Sequence, residues 1–291
     1  MKEIDKVLLI VNPISGGINK RNINQKIDSE VSKLNAELEV YQTTGENDQK
    51  KIKNLVASET FDRILIAGGD GTIKLVAEAL LPHKTPIAII PAGSANGLAL
   101  NLGIPNDLQE QLNIAFGNTV TKMDVLEING ELCLHMGDLG INAELIKNYQ
   151  KSRIRGKMGY LLQSIPTLLY SKYPFEFEIQ MEDKSFTKEG ILLAFANAKK
   201  YGTGANVNPK GKINDGVFEL LLFKNFNMLE ILKTLRNETE VNSEFVEIIP
   251  LKEARVYCKN PVSFQIDGEY IGEEEEIYVK ISPEKLSITT Y

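Results

Sequence analysis

The chain has 291 residues, of which 43% are hydrophobic and 25% are charged, and its formal net charge is −6. This composition is typical of a globular protein long enough for two domains, each with its own core. The acidic balance argues against a general nucleic-acid binder, because such proteins normally carry a basic excess.

Two further features bear on where the protein works. The two cysteines, Cys133 and Cys258, fit no metal-binding spacing and cannot form a disulfide framework. The N-terminal residues do not resemble a signal peptide, and no apolar run approaches the ~20 residues of a membrane span. We therefore expect a cytoplasmic protein that contacts a membrane surface only transiently.

Residues 1–125 alternate short apolar runs with amphipathic segments, which predicts an α/β domain. The apolar runs at 7–11, 64–66 and 86–90 are typical of strands buried on both faces, and a further strand is predicted at 38–42. Between them, apolar residues recur at helical spacing, for example at positions 23, 27, 31, 34 and 38. Such alternation predicts a parallel sheet with right-handed crossovers.

Four loops follow these strands, and three of them are rich in glycine. Their sequences are NPISGG (12–17), TTGEN (43–47), GGDGT (68–72) and PAGSANG (91–97). Parallel sheets bind ligands at the carboxyl ends of their strands, so we expect all four loops to meet on one rim. Hydroxyl and amide groups are available there from Asn12, Ser15, Thr43, Thr72, Ser94 and Asn96. The sequence predicts a nucleotide-sized site at this rim.

The 68–72 loop indicates the chemistry of that site. A strand, a glycine turn and a helix N-terminus together form a binding site for anions such as phosphate. Asp70 would repel bare phosphate, so it favours a nucleotide that carries a divalent cation. Neither a Walker A motif nor GxGxxG occurs, so we expect metal and backbone amides, rather than a P-loop lysine, to meet the phosphate charge. An ordinary strand–helix turn is the alternative interpretation.

The pattern changes in residues 126–291, which we assign to a second domain. Asn129-Gly130 between two apolar runs predicts a hairpin. Further strands are predicted at 175–181, 191–196, 217–223, 245–250, 255–258, 262–266 and 277–281. This half is expected to be mainly antiparallel, as in a β-sandwich. The basic and apolar segment 153–173 would either dock on a membrane or wall a lipid pocket; the alternative is a helix packed on the sandwich.

Carboxylates are the candidate catalytic bases. The two histidines, His83 and His135, have no triad-like context, whereas Asp70, Asp215 and Asp267 adjoin glycine turns. Asp-Gly is also a common hairpin turn, which is the structural alternative for Asp215 and Asp267. Phosphoryl transfer to a hydroxyl needs positioning, neutralisation of phosphate charge and a carboxylate that accepts the hydroxyl proton. Asp267, just past an alternating strand, is the candidate for that last role.

Taken together, these motifs resemble the lipid kinase superfamily of soluble bacterial diacylglycerol kinases, sphingosine kinases and ceramide kinases. The resemblance rests on NPxSGG (12–17), Thr43 ahead of Asp48, GGDGT (68–72), PxGSxN (91–96) with LGIP (102–105), Asp124, INDG (213–216) and DGE (267–269). It implies an α/β domain like that of NAD kinase and 6-phosphofructokinase, joined to a β-sandwich domain, with ATP in the cleft between them. It also implies a phosphotransferase with an alcohol group as acceptor.

The resemblance implies a role for each matching residue. Asp267 would be the general base that deprotonates a lipid hydroxyl. Catalytic Mg²⁺ would connect with Asp70, Asp124 and Asp215, and a second, structural Mg²⁺ would lie at Lys212, Asp215 and Val217. The nucleotide would be held by Asn12, Ser15, Gly16, Thr43, Gly68, Gly69, Asp70, Gly71, Thr72, Ser94 and Asn96.

One departure from the family pattern concerns the substrate. Bacterial diacylglycerol kinases typically have Asp after the Asn of the third glycine loop, where this chain has Gly97. The form GSxNxLA is closer to that of sphingosine kinases. Those enzymes have, near the position that matches Glu144, an acidic residue that recognises the amino-alcohol head group, so Glu144 is the candidate for that role in this chain. Either the acidic network around the catalytic Mg²⁺, which includes Asp70, Asp124 and Asp215, lacks one carboxylate in this chain, or the metal is held differently. The substrate therefore stays open among diacylglycerol, a sphingoid base and similar lipids.

Two other functions compete with a lipid kinase. A NAD kinase-like enzyme shares GGDGT, and a nucleotide-binding regulator without catalytic activity would be compatible with Gly97. In the leading interpretation the partner is a membrane lipid and not a nucleic acid, and the protein works alone or as a homodimer.

Overall fold

The computed structural model describes residues 4–17, 20–81, 83–151, 173–182, 184–201, 204–235 and 242–291. The chain divides into two compact units. The first comprises Met1–Asp124 and Pro283–Tyr291, and the second comprises Val125–Ser282. Residues 283–291, which the sequence analysis grouped with the second domain, therefore fold with the first.

The first unit is an α/β domain, as predicted. Its elements are β1 (Lys6–Val11), α1 (Lys20–Lys33), β2 (Glu37–Gln42), α2 (Asp48–Ser58), β3 (Arg63–Gly68), α3 (Asp70–Leu80), β4 (Ile87–Pro91), α4 (Gly97–Asn101), α5 (Leu108–Ala115), β5 (Val120–Met123) and β18 (Leu286–Thr289). The sheet order is β2-β1-β3-β4-β18-β5. All neighbours are parallel except β18 and β5, which are antiparallel.

Burial explains why the apolar runs of this unit form strands. Every residue of β3 is buried, as is every residue of β1 after Lys6, because helices cover both faces of a parallel sheet. On α1, Ile23, Ile27 and Val31 face the core. The expected continuation of that face to positions 34 and 38 is wrong. The helix ends at Lys33 and Asn35 has a left-handed φ of 55°, so residue 38 lies in β2.

The second unit is mainly antiparallel, which confirms the predicted class. Its elements are β6 (Leu126–Ile128), β7 (Glu131–Cys133), β8 (Met136–Gly140), α6 (Ile141–Lys151), β9 (Phe175–Met181), β10 (Lys184–Gly190), β11 (Leu192–Ala196), β12 (Lys200–Tyr201), β13 (Ala205–Asn206), β14 (Phe218–Phe223), α7 (Met228–Leu235), β15 (Val246–Leu251), β16 (Glu253–Ile266) and β17 (Glu269–Ile281). The large sheet has the order β15-β14-β11-β8-β16-β17-β6-β7, and the β9–β10 hairpin joins it at β16. Its core contains Phe177, Phe195, Phe218 and Phe264.

Two turns of the second unit bear on the sequence predictions. The hairpin at Asn129-Gly130 is confirmed, and both residues have the positive φ that a tight turn of this kind requires. The two strands predicted at 255–258 and 262–266 are one strand, β16. Its pairing with β17 shifts register between Tyr257 and Val262, and this irregularity accommodates Pro261 within the strand.

The segment proposed to contact lipid, 153–173, lies almost entirely outside the described residues, which resume at Tyr173. Among the helices that the structure describes, none has the length and apolar character needed to cross a bilayer.

Candidate active site

The three glycine loops of the first unit pack directly against one another. A Cβ atom at Gly16 would lie 2.4 Å from the carbonyl oxygen of Ala92, and one at Gly93 would lie 2.5 Å from the Cα of Gly69. Only glycine permits this approach of backbone to backbone. The three loops therefore form one continuous surface at the carboxyl ends of β1, β3 and β4, as the sequence predicted.

Side-chain hydrogen bonds join the first of these loops to the other two. Asn12 Nδ2 donates to Thr72 Oγ1 at 3.1 Å, and Asn12 Oδ1 accepts from the N–H of Ile14 at 3.2 Å. Ser15 Oγ donates to the Ala92 carbonyl at 3.0 Å. Among the described residues, no side chain caps the N-terminus of α3 at Asp70. The side chains thus fix the loops. Thr72 N–H donates to the Gly69 carbonyl, so the N–H groups of Asp70 and Gly71 are those available for phosphate.

Asp70 itself connects its loop to the third one. Its two carboxylate oxygens accept the N–H groups of Gly97 and Leu98, at 2.9 Å and 3.0 Å, and so cap α4. Asn96, with a left-handed φ of 53°, closes its own loop by accepting from Gly93 N–H at 2.8 Å. Ser94 is exposed on the same loop. A carboxylate has about four acceptor positions, so Asp70 keeps two for a ligand.

The Thr43 loop is organised by Asp48, which the structure buries at the start of α2. Its carboxylate accepts from Tyr41 Oη at 2.6 Å, from Gly45 N–H at 2.7 Å and from Thr44 N–H at 3.0 Å. Burial would raise the pKa of Asp48, but these hydrogen bonds outweigh it and lower that pKa below its usual value. Burial and the same carboxylate raise the pKa of Tyr41 to about 12. Thr43 N–H donates to Val11, next to Asn12.

One charged residue of this surface was missed by the sequence analysis. Lys20, the first residue of α1, is 8% exposed, and its Nζ donates to the carbonyls of Ser15 at 2.7 Å and Ala92 at 3.0 Å. Burial lowers the pKa of this ammonium. A single lysine three residues beyond a glycine loop matches no phosphate-binding motif, which is why the pattern did not reveal it.

The predicted metal ligands do not form a protein-built cage. In the part of the chain that the structure describes, no cluster of three or more His, Cys, Asp or Glu side chains could hold a metal ion. Asp124 is fully buried and its Oδ1 lies 2.6 Å from Lys285 Nζ. Asp70 is therefore suited only to an Mg²⁺ ion that is bound mainly by nucleotide phosphates and by one or two carboxylates of the protein.

The remaining metal predictions fall on one exposed turn of the second unit. Asp215 Oδ1 accepts from the N–H of Val217 at 3.2 Å, across Gly216, and Lys212 precedes this turn. Nearby, burial and the negative charge of Asp215 raise the pKa of Glu219, which accepts from Asn208 Nδ2 at 2.6 Å. The structural Mg²⁺ at Lys212, Asp215 and Val217 stays a prediction.

The candidate base, Asp267, lies in a cradle of backbone amides in the second unit. It follows β16 with a left-handed φ of 51°. Its Oδ1 accepts the N–H groups of His135 at 2.8 Å and Met136 at 3.1 Å, and its Oδ2 accepts that of Leu134 at 2.8 Å. Three fixed donors hold the carboxylate in one orientation, and Oδ2 keeps a free acceptor position.

A second layer of polar side chains holds this cradle. Asn197 Nδ2 donates to the Leu134 carbonyl at 3.1 Å, and His135 Nε2 lies 2.7 Å from the Lys200 carbonyl. Gln265 accepts from Gly268 N–H at 2.7 Å, and its amide also bonds the buried Asp138. Asn197, His135 and Asp138 lie far from Asp267 in the sequence, and no local pattern marks Gln265, so sequence reasoning did not find these contacts. Glu144 lies in the first turn of α6, and its substrate role stays a prediction.

The predicted site residues thus divide between the two units. All those assigned to nucleotide lie on the first unit, where the structure brings their loops together, and Asp124 is the last residue of the longer of that unit's two segments. Asp267, Glu144 and the Lys212–Val217 turn lie on the second unit.

Comparisons with known proteins agree with this division. Residues 6–128 match the diacylglycerol kinase catalytic domain, and residues 138–290 match the YegS C-terminal NAD kinase beta sandwich-like domain. A diacylglycerol kinase of Bacillus subtilis is 27% identical over 274 residues, covering 91% of this chain and 89% of the relative.

Two solved structures show the same fold. A putative diacylglycerol kinase from Bacillus anthracis aligns with a TM-score of 0.83 at 22% identity, over 100% of this chain and 98% of that one. A NAD kinase from Archaeoglobus fulgidus in complex with ATP aligns with a TM-score of 0.55 at 13% identity, over 98% of this chain and 93% of that one.

Proposed function

This chain belongs to the bacterial lipid kinase family that joins a diacylglycerol kinase catalytic domain to a YegS-type C-terminal domain, and we propose that it transfers the γ-phosphate of ATP to the hydroxyl of a membrane lipid. The observation that supports this most is the surface formed by the three glycine loops at the N-terminus of α3. The proposed acceptors are diacylglycerol, a sphingoid base or a similar lipid alcohol. Such substrates imply peripheral contact with a membrane.

In this proposal the first unit binds the donor. The N–H groups at the start of α3 and the glycine loops hold the phosphates, and Asn12, Ser15 and Thr72 keep those loops in place. Mg²⁺ bound with ATP would neutralise phosphate charge, and Asp70 is the carboxylate that would contact it.

Asp267 supplies the base. The free acceptor position on its Oδ2 takes the proton of the lipid hydroxyl as the hydroxyl oxygen bonds to the γ-phosphorus. The bond from that phosphorus to the β,γ-bridging oxygen breaks, and ADP leaves. The three amides that bind the carboxylate orient it but carry no proton to or from the substrate.

A mixed-micelle assay tests the proposal. The pure protein is incubated with ATP, Mg²⁺ and, separately, diacylglycerol, sphingosine, ceramide or phosphatidylglycerol. We expect labelled phosphate on one of these classes. Phosphorylation of sphingosine but not of diacylglycerol would agree with the sphingosine kinase-like sequence around Gly97. It would also support Glu144 as the residue that binds an amino-alcohol head group. Absence of phosphate on every lipid, with folded protein, would contradict the proposal.

A second candidate is a NAD kinase-like activity, favoured by the structural likeness to an ATP-bound NAD kinase. NAD as acceptor in the same assay separates the two activities. Nucleotide binding without transfer to any acceptor would instead favour a regulator that has no catalytic activity.

A further inference from the structure

Lys20 is a buried cation that is held by uncharged partners in the described part of the first unit. Its side chain is more than nine-tenths buried, and no carboxylate within the described residues forms an ion pair with it. Its two hydrogen bonds go to the neutral carbonyls of Ser15 and Ala92. Buried charges in proteins are normally paired, because taking an ion out of water is costly.

The position of Lys20 adds to this cost. It is the first residue of α1, where the positive end of the helix dipole disfavours a cation. Burial accordingly lowers the pKa of the ammonium. A bound anion would compensate for a charge held at this point.

The surroundings identify which anion fits. The two carbonyls that Lys20 contacts belong to the NPISGG loop and the Gly93 loop, which enclose the proposed phosphate surface together with the GGDGT loop. An ammonium has three N–H donors, and only two are used by these carbonyls. The third has no acceptor among the described residues, so it can donate to a ligand bound at these loops.

We infer that Lys20 is the counter-ion of the nucleotide polyphosphate, and that it also fixes the distance between the two loops it bridges. This inference rests on the proposed ATP site and deepens it. It replaces the expectation that metal and backbone amides alone meet the phosphate charge.

Nucleotide binding without lipid tests the inference. Dissociation constants for ATP, ADP and adenosine are measured by calorimetry on the unmodified protein, on Lys20→Met, and on Lys26→Met, which removes an exposed lysine of the same helix. We expect Lys20→Met to bind ATP and ADP roughly 10- to 100-fold more weakly, as for loss of a charge-assisted hydrogen bond. Adenosine affinity should be unchanged, and Lys26→Met should match the unmodified protein.

The outcomes are distinguishable. Equal ATP affinity in Lys20→Met and the unmodified protein would overturn the inference and leave the proposed function standing. An equal loss for ATP and adenosine would assign Lys20 a purely structural role in the loops and also overturn it. If the unmodified protein binds no nucleotide, the proposed function fails together with the inference. Melting curves without ligand establish that each variant is folded.

Discussion

The carboxylate of Asp70 accepts a hydrogen bond from the backbone N–H of Gly97, at 2.9 Å. Its other oxygen accepts from Leu98, so an acid of the GGDGT loop caps a helix of the neighbouring loop. The contact uses the backbone of residue 97 and not its side chain. The presence of Gly97, where the family resemblance leads us to expect Asp, therefore leaves the connection between the loops intact.

We expect Asp70→Asn to lower both stability and turnover, but to different extents. An amide has one acceptor oxygen, so one N–H at the start of α4 loses its partner, which costs about 1 kcal/mol of unfolding free energy. The fall in lipid phosphorylation should be roughly 100-fold, because the carboxylate that would face the ATP-bound cation is removed. Urea unfolding and the kinase assay measure the two effects.

Asp107→Ala is the matched control for this variant, because alanine, unlike asparagine, removes the capping acceptor. Asp107 caps α5 by accepting from Glu110 N–H at 3.0 Å, and it is not among the residues assigned to the site. We expect a similar loss of stability with near-normal turnover. Equal losses of turnover in both variants would mean that Asp70 acts only as a helix cap.

The packing of the glycine loops gives a second prediction. Gly16 has a φ of 60°, and a Cβ there would lie 2.4 Å from the Ala92 carbonyl oxygen. Gly103 has a φ of 69° but open space around the position of its Cβ. Alanine at either position costs about 1–2 kcal/mol for the left-handed backbone, whereas only Gly16→Ala also separates two loops of the site.

We therefore expect Gly16→Ala to weaken ATP binding at least tenfold and Gly103→Ala to leave it within a factor of about two. Calorimetric titration with ATP and thermal melting provide the comparison. Normal ATP affinity in Gly16→Ala would show that close contact between these loops is not needed for nucleotide binding.

Sequence reasoning succeeded where one local pattern determined the outcome. Continuous apolar runs gave β1, β3 and β4, and the Asn129-Gly130 turn gave a hairpin. Sequence reasoning failed where the pairing between strands decided which sheet a segment joins. The strand β18 is only four residues long, and Leu286 and Ile288 are buried because β4 and β5 lie beside it. Nothing in so short a segment indicates which sheet it will join.

The same distinction applies to the candidate site. The glycines and Asp267 stand in recognisable local motifs, and the structure shows what each one contacts. Lys20, Asn197 and Gln265 have no such motif, because their partners are backbone groups or side chains far away in sequence. Only the fold shows that these residues support the loops.

Asp48 predicts a pH dependence of stability. Its pKa in the folded protein is lower than the ordinary value of 3.8, the net result of burial, which opposes ionisation, and of hydrogen bonds, which favour it. A lowered carboxyl pKa stabilises the fold above the unfolded pKa, and that contribution is lost as pH falls through the folded pKa. We expect the unfolding free energy to drop on acidification from about pH 5 to below pH 4.

Asp48→Asn should remove this part of the acid sensitivity, and it should be less stable than the unmodified protein at pH 7. Tyr41→Phe is the graded control, because it deletes one of the donors to the carboxylate and leaves the backbone donors in place. Urea unfolding at a series of pH values measures each protein. Parallel pH profiles for Asp48→Asn and the unmodified protein would contradict the assignment.

The final prediction concerns the amide cradle around Asp267. Asparagine is the suitable replacement, because it tolerates the left-handed backbone at this position better than most residues do. Its oxygen can still accept from His135 and Met136, while its NH₂ group faces the Leu134 N–H and loses that bond. The expected destabilisation is about 1–3 kcal/mol, so the variant should remain folded. Without a carboxylate to take the hydroxyl proton, kcat should fall roughly 100- to 10,000-fold. ATP affinity should be unchanged, because Asp267 is not among the residues proposed to bind the nucleotide. Calorimetry with ATP and the micelle assay measure the two quantities.

Retained turnover would remove Asp267 from the role of base, and a parallel loss of ATP affinity would show that the substitution disturbs nucleotide binding.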